Sequence, residues 1–251
     1  MSGHSKWSTI KRKKAAVDAK RGQIFTRLAR EITVAARKGG GDPDTNFRLR
    51  LAIDKAKAAN MPRDNIERAI TRGAGGGKGD ALEEVTYEGY APHGVALLVQ
   101  VLTDNRNRTV AEVRRVFNKQ GGSLADVGSV AWQFERKGYI AIEPDGVDPD
   151  EIFELAVEAG AEDVIFGDDL IEVYAELSEF QAVQEAFRAR DVEFATAELS
   201  MVPKNTLQLE TDQTFKVMRV IEMLEDLDDV QQVYSNLDIT DELMKQYEIT
   251  V

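Results

Sequence analysis

Few side chains in this sequence are suited to making or breaking bonds. Among 251 residues there is no cysteine and there are two histidines, His4 and His93. Thiol catalysis, thiolate metal sites and disulfides are therefore excluded, and imidazole chemistry has two candidates. His93 lies in a Pro-His-Gly turn, a setting for an exposed side chain rather than a general base. Carboxylates adjoin at Glu83-Glu84, Glu225-Asp226 and Asp228-Asp229, but 44 Asp and Glu against 32 Lys and Arg make such neighbours ordinary. The glycine-rich Gly73–Gly79 invites comparison with a phosphate loop. That motif needs a glycine five residues before its Gly-Lys pair and Ser or Thr after the lysine, and Arg72 and Gly79 stand in those places. No catalytic residue, metal or cofactor is expected.

The chemistry that the residues do suit is the gripping of a polyanion. Lys6, Trp7, Lys11, Arg12, Lys13, Lys14, Lys20, Arg21, Arg27 and Arg30 crowd the front of the chain. Met1–Gly79 holds 19 Lys and Arg against 7 Asp and Glu, whereas the remainder holds 13 against 37. A strongly cationic segment is thus concealed in a chain of net charge −12. Each cation set beside a phosphate releases a condensed counterion, which drives binding to nucleic acid whatever its sequence. Trp7 and Phe25 are candidates for stacking on an unpaired base. Thr103–Thr109 (TDNRNRT) is the second candidate site. Asp104, Asn105 and Asn107 mark a helix entrance, where free amides and the macrodipole attract anions, and Arg106 and Arg108 add charge. A plain N-cap with solvated arginines fits the same residues equally well. Trp132 and Phe134, two apart, read as sheet core rather than a stacking platform.

The elements that must position these residues follow from periodicity. Asp18 to about Lys38 reads as an amphipathic helix with Ile24, Leu28, Ile32 and Ala35 on one stripe. Asp42-Pro43 reads as the start of a second helix ending near Asn60, and Pro62 as the start of a third. Beyond the glycine linker the period becomes two, with strands at Glu84–Glu88, Gly94–Val101 and Val130–Phe134 around a helix at Thr109–Gln120. Residues 138–202 read β-α-β-β-α-β, the split βαβ order. Thr211–Leu224, Gln231–Ser235 and Asp241–Tyr247 follow as helix, strand and helix. The fold class expected is α+β: an N-terminal three-helix domain followed by two ferredoxin-like domains, the last inserted in the second. The boundaries expected are 1–79, 80–136 plus 204–251, and 137–203.

No apolar run approaches the roughly 20 residues of a spanning helix. With the absence of cysteine and of a signal-peptide pattern, this places the expected site of action in the cytoplasm. The expected partner is nucleic acid, as DNA or as RNA within the ribosome, with an acidic protein surface as the rival. The acidic remainder is expected to stand away from phosphate and to present its sheet and loop surfaces to a protein or structured RNA partner. No heptad pattern points to a dimer, so a monomer is expected.

Several stretches together resemble the YebC/PmpR family. They are GHSKW at Gly3–Trp7, DAKRGQIFTRLAREITVAAR at Asp18–Arg37, NMPRDNIERAI at Asn60–Ile70, YEGYAPHG at Tyr87–Gly94, TDNRNRT, and GSVAWQFERKG at Gly128–Gly138. The resemblance implies a three-domain, cytoplasmic, non-enzymatic regulator of gene expression, of a family commonly described as DNA-binding transcriptional regulators. It also carries an alternative. Mitochondrial relatives are translational activators for cytochrome c oxidase and bacterial members are linked to ribosomes, so contact with rRNA or tRNA is implied as well. The chain departs from the family at two places: the family often has Gly at the position of His93 and a basic residue at that of Thr71.

Overall fold

The structure, a computed structural model, describes Trp7, Thr9 and residues 21–75 and 82–250. These fall into two units. The first takes the residues within 13–131 and 212–233, and the second takes Trp7, Thr9 and those within 132–211 and 234–250.

The first unit opens with three helices, α1 (Arg21–Gly39), α2 (Phe47–Ala58) and α3 (Arg63–Ala74). Leu28, Ile32 and Ala35 of the expected stripe are buried against Leu49, Ala52 and Ala56 of α2 and Ile66 and Ala69 of α3. Helices α1 and α3 touch so closely that a Cβ on Gly73 would lie 2.3 Å from the Thr33 carbonyl oxygen. At the same crossing the Thr33 hydroxyl donates to the Ala69 carbonyl at 3.2 Å. Helix α2 does not start at Asp42-Pro43 as expected. Its cap is Asn46, whose Oδ1 accepts from the Leu49 amide at 3.1 Å while its Nδ2 donates to the carbonyls of Ala35 and Gly40. An amide can donate and accept at once, so Asn46 joins the start of α2 to the end of α1. The Asp42 carboxylate, an acceptor only, serves the turn amide of Asp44 at 3.0 Å. Pro62 likewise precedes α3 rather than opening it.

The strands β1 (Glu83–Tyr90) and β2 (Ala96–Thr103) form an antiparallel hairpin across a 3-10 turn at Pro92–Gly94. His93 there has φ of 65°, the left-handed region that favours glycine. Helix α4 (Arg106–Lys119) and the short β3 (Ser123–Ala125) follow. The helix begins three residues before the expected Thr109. The strand expected at Val130–Phe134 is not formed; residues 131–133 make a 3-10 turn instead. Buried Glu88 is the cause, because its carboxylate accepts the amides of Gly128, Val130 and Ala131 at 2.6–2.8 Å and takes donors that a ladder would need. Phe134 is core as expected, but Trp132 is 67% exposed.

In the second unit come β4 (Phe134–Ile142), α5 (Pro149–Glu158), β5 (Asp163–Phe166), β6 (Ile171–Ala175), α6 (Phe180–Arg188) and β7 (Thr196–Pro203). The sheet order β5-β6-β4-β7, antiparallel throughout, is that of the split βαβ unit. A Cβ on Gly138 would lie 2.3 Å from the Phe180 ring, so α6 rests directly on β4. Lys137, nearly buried, is paired with Glu135, Glu162 and Glu176. Tyr139 and Tyr174 donate their hydroxyls to buried Glu172 at 3.0 and 3.2 Å.

Helix α7 (Thr211–Glu225) and strand β8 (Val230–Ser235) then complete the first sheet, whose order is β3-β1-β2-β8. That sheet is therefore assembled from segments lying on either side of the second one in sequence. Helix α8 (Asp241–Thr250) ends the described chain, and the whole is α+β with a helical front.

Candidate nucleic-acid interface

Helix α1 carries Arg27 and Arg30 toward residues 225–229, the end of α7 and the turn into β8. Arg27 donates to the carbonyls of Glu225 and, at 3.3 Å, Leu227. Arg30 donates to the Asp228 carbonyl and to Asp229 Oδ1, each at 2.9 Å. Cations at the last carbonyls of a helix satisfy orphan acceptors and oppose the negative end of its dipole. Burial is the largest influence on Arg27 and lowers its pKa, while Glu225, Asp226 and Asp228 act to raise it. Both arginines were expected to face phosphate. Their guanidinium groups are committed to the protein's own oxygens.

Asp229 is the centre of this arrangement and is 2% exposed. Besides Arg30 on Oδ1, its Oδ2 accepts from Arg108 at 2.7 Å, Thr109 Oγ1 at 2.6 Å and Thr103 Oγ1 at 3.1 Å. Burial alone would raise its pKa, but the bonds from Arg108, Thr109 and Thr103 and the Arg108 charge hold it below the ordinary carboxylate value. One carboxylate thereby ties α1, β2 and α4 together.

The same bonds decide how TDNRNRT is used. Asn105 caps α4 by accepting from the Arg108 amide at 3.1 Å, and Arg108 pairs with Asp104 as well as Asp229. Its pKa is raised by those two hydrogen-bonding carboxylates, Asp229 foremost. Of the two readings left open for this segment, the capped helix start is the one that the geometry favours for Arg108. Arg106 pairs with Glu83 at 3.1 Å and remains largely exposed.

Trp7 is not available for stacking: it is 3% exposed, and Thr9, two residues on, hydrogen-bonds the Tyr139 hydroxyl. Phe25 is packed against the helical core. Lys6, Lys11, Arg12, Lys13, Lys14 and Lys20 lie outside the described residues, as does the Arg21 side chain, although Arg21 opens α1. Lys38 and Arg48 converge on Glu84, which burial would raise but whose bonds to Arg48 and Lys38 keep it below its ordinary pKa. Arg37 and Arg72 are exposed and carry no ion pair among the described residues. They adjoin Ala36 and Gly73, which meet where α1 and α3 cross.

Three further cations, on α4, were not singled out from the sequence. Thr109, Val113, Val116 and Phe117 are buried, and Arg114, Arg115 and Lys119 stand exposed on the opposite face. The helical spacing of the buried residues carried this signal. Among the described residues no group of three or more His, Asp or Glu could hold a metal ion. No helix among them is long and apolar enough to cross a membrane.

The chain matches the family model described as the TACO1/YebC protein N-terminal domain over residues 5–76, and that described as the TACO1/YebC second and third domain over residues 82–237. A relative from Herpetosiphon aurantiacus, named probable transcriptional regulatory protein, is 55% identical over 248 residues, 98% of each chain. One of the same name from Roseiflexus castenholzii is 56% identical over 252 residues, covering 98% of this chain and 99% of the relative. The crystal structure of a conserved hypothetical protein from Aquifex aeolicus matches with a TM-score of 0.84 and 48% identity, covering 90% of this chain and 93% of that one.

Proposed function

The chain belongs to the TACO1/YebC family, and from that premise we propose that it is a DNA-binding regulator of transcription that carries out no chemistry of its own. It is proposed to act in the cytoplasm and to grip phosphate through its cationic front. The observation that carries this reading is the segregation of charge, 19 basic against 7 acidic residues in 1–79 and 13 against 37 thereafter. Mixed charge would indicate a solvated face; segregated charge creates a field that draws a polyanion to one end. The transcriptional names of its relatives support DNA as that polyanion.

Within the front, phosphate contact is assigned to Lys6, Lys11, Arg12, Lys13, Lys14, Lys20 and Arg21, and we add the exposed Arg37 and Arg72 as candidates. Arg27, Arg30 and Arg108 are assigned a positioning role. The test is selection of duplex fragments from the source genome by the full chain at about 0.15 M salt. Repeated recovery of particular upstream fragments is expected. Equal retention of all fragments, or preferential capture of structured RNA at matched salt, would overturn it.

A further inference from the structure

We propose that the exposed face of α4, formed by Arg114, Arg115, Asn118 and Lys119, is a second docking surface for the backbone of the same DNA duplex. This rests on the reading of the protein as DNA-binding and adds a surface that the cationic front does not include.

The face gathers three exposed cations on one helix. In the first unit Arg27, Arg30, Lys38, Arg48, Arg106 and Arg108 are all bound by the chain's own carboxylates or carbonyls. Arg114, Arg115 and Lys119 carry no ion pair or hydrogen bond among the described residues and are exposed. Adjacent like charges repel, and no carboxylate among the described residues forms an ion pair with them. With Ala111 they line a shallow, open depression, and the small alanine leaves room for a phosphate to approach between the longer side chains. Arg114 and Asn118 are one turn apart, as are Arg115 and Lys119. Each pair presents two donor groups about 6 Å apart along the helix, a spacing suited to successive groups on a polymer rather than to one small anion. Lys119 alone has a structural explanation, since a cation in the last turn opposes the helix dipole. The adjacent arginines have none.

The occupant follows from charge and from linkage. Asp229 holds both Arg30 of α1 and Arg108 of α4, so the two helices keep a fixed relation. A duplex that touches both the cationic front and this face would gain from effective concentration, each contact reinforcing the other. Arginine also forks onto phosphate oxygens in a way that an extended charged backbone exploits better than an isolated carboxylate.

The test compares the full chain with R114A/R115A/K119A and with R114K/R115K, using a labelled 25-base-pair DNA duplex and an RNA duplex of equal length across a salt series. The alanine variant is expected to lose about ten- to a hundredfold in DNA affinity near 0.1 M salt and to flatten the log-affinity against log-salt slope by about 2 to 3. Its melting temperature should be unchanged, and the lysine variant should keep the wild-type slope. An unaltered affinity and slope in the alanine variant would overturn this inference and leave the DNA-binding reading standing. Failure of the wild type to bind the DNA duplex even at low salt would overturn that reading itself. A loss confined to the RNA duplex would refute DNA as the occupant.

Discussion

Arg27 and Arg30 on α1 and Arg114 and Arg115 on α4 are the same residue type on two amphipathic helices of one unit, yet their surroundings are opposite. The first pair is drawn in by carbonyls and carboxylates from residues 225–229, about 200 positions later in the chain. The second pair forms no ion pair among the described residues. Helical spacing places all four off the apolar stripe and says nothing of what a distant segment brings to meet them. Charge density therefore locates a cationic region, while the partners in the fold decide which members are free to bind.

This contrast is broken most severely at Asp229. Asp229→Ala leaves Arg30, Arg108 and two buried hydroxyls without their shared acceptor, and a loss of about 3–5 kcal/mol is expected in chemical denaturation. By comparison, Arg114→Ala with Arg115→Ala should change stability by no more than about 0.5 kcal/mol, as for surface positions without partners. Similar losses for both would erase the distinction between positioning and free arginines.

Glu88→Gln comes next. It keeps the shape but weakens the hold on the Gly128, Val130 and Ala131 amides, and a loss of about 1.5–3 kcal/mol is expected. Increased mobility should follow at the adjacent Trp132, whose fluorescence reports it; an unaltered Trp132 signal would mean that Glu88 does not organise the turn.

Acid sharpens the same point. Asp229, Glu84 and Glu88 are all held below their ordinary pKa values of 3.8, 4.5 and 4.5. The stability that they contribute is complete above those values and is lost as pH falls through the lower, folded ones. Unfolding monitored from pH 6 downward should therefore show stability falling below about pH 4.5, and less steeply in Asp229→Asn. The smallest effect is expected at the hairpin, where His93→Gly should stabilise by about 0.5–1 kcal/mol by relieving the left-handed backbone. A destabilised glycine variant would point to a contact by the imidazole.

Much of the framework was legible in the sequence because it rests on local pattern. The α1 stripe, the β5–β6 hairpin around Gly167-Asp168-Asp169 and the βαββαβ order all follow from periodicity and turn residues. What escaped depends on side chains acting at a distance. Asn46 outcompetes the Asp42-Pro43 start because it reaches two carbonyls of the preceding helix end. Trp132 leaves the sheet because Glu88, 40 or more residues earlier, collects the amides of its neighbours. The candidate site was legible as a charge asymmetry and illegible as a set of residues: Trp7 is buried, and four of the arginines expected to contact phosphate, Arg27, Arg30, Arg106 and Arg108, are held by the protein itself.

The central claim, that the cationic front grips polynucleotide while Arg27 and Arg30 support the fold, is tested most directly by the salt dependence of duplex DNA binding. The comparison is between the wild-type chain, K11A/R12A/K13A/K14A and R27K/R30K. The fourfold variant should flatten the log–log slope by about 3 to 4 with its melting temperature preserved, and R27K/R30K should melt earlier with its slope intact. An unchanged slope in the fourfold variant, with the loss falling on R27K/R30K instead, would contradict it.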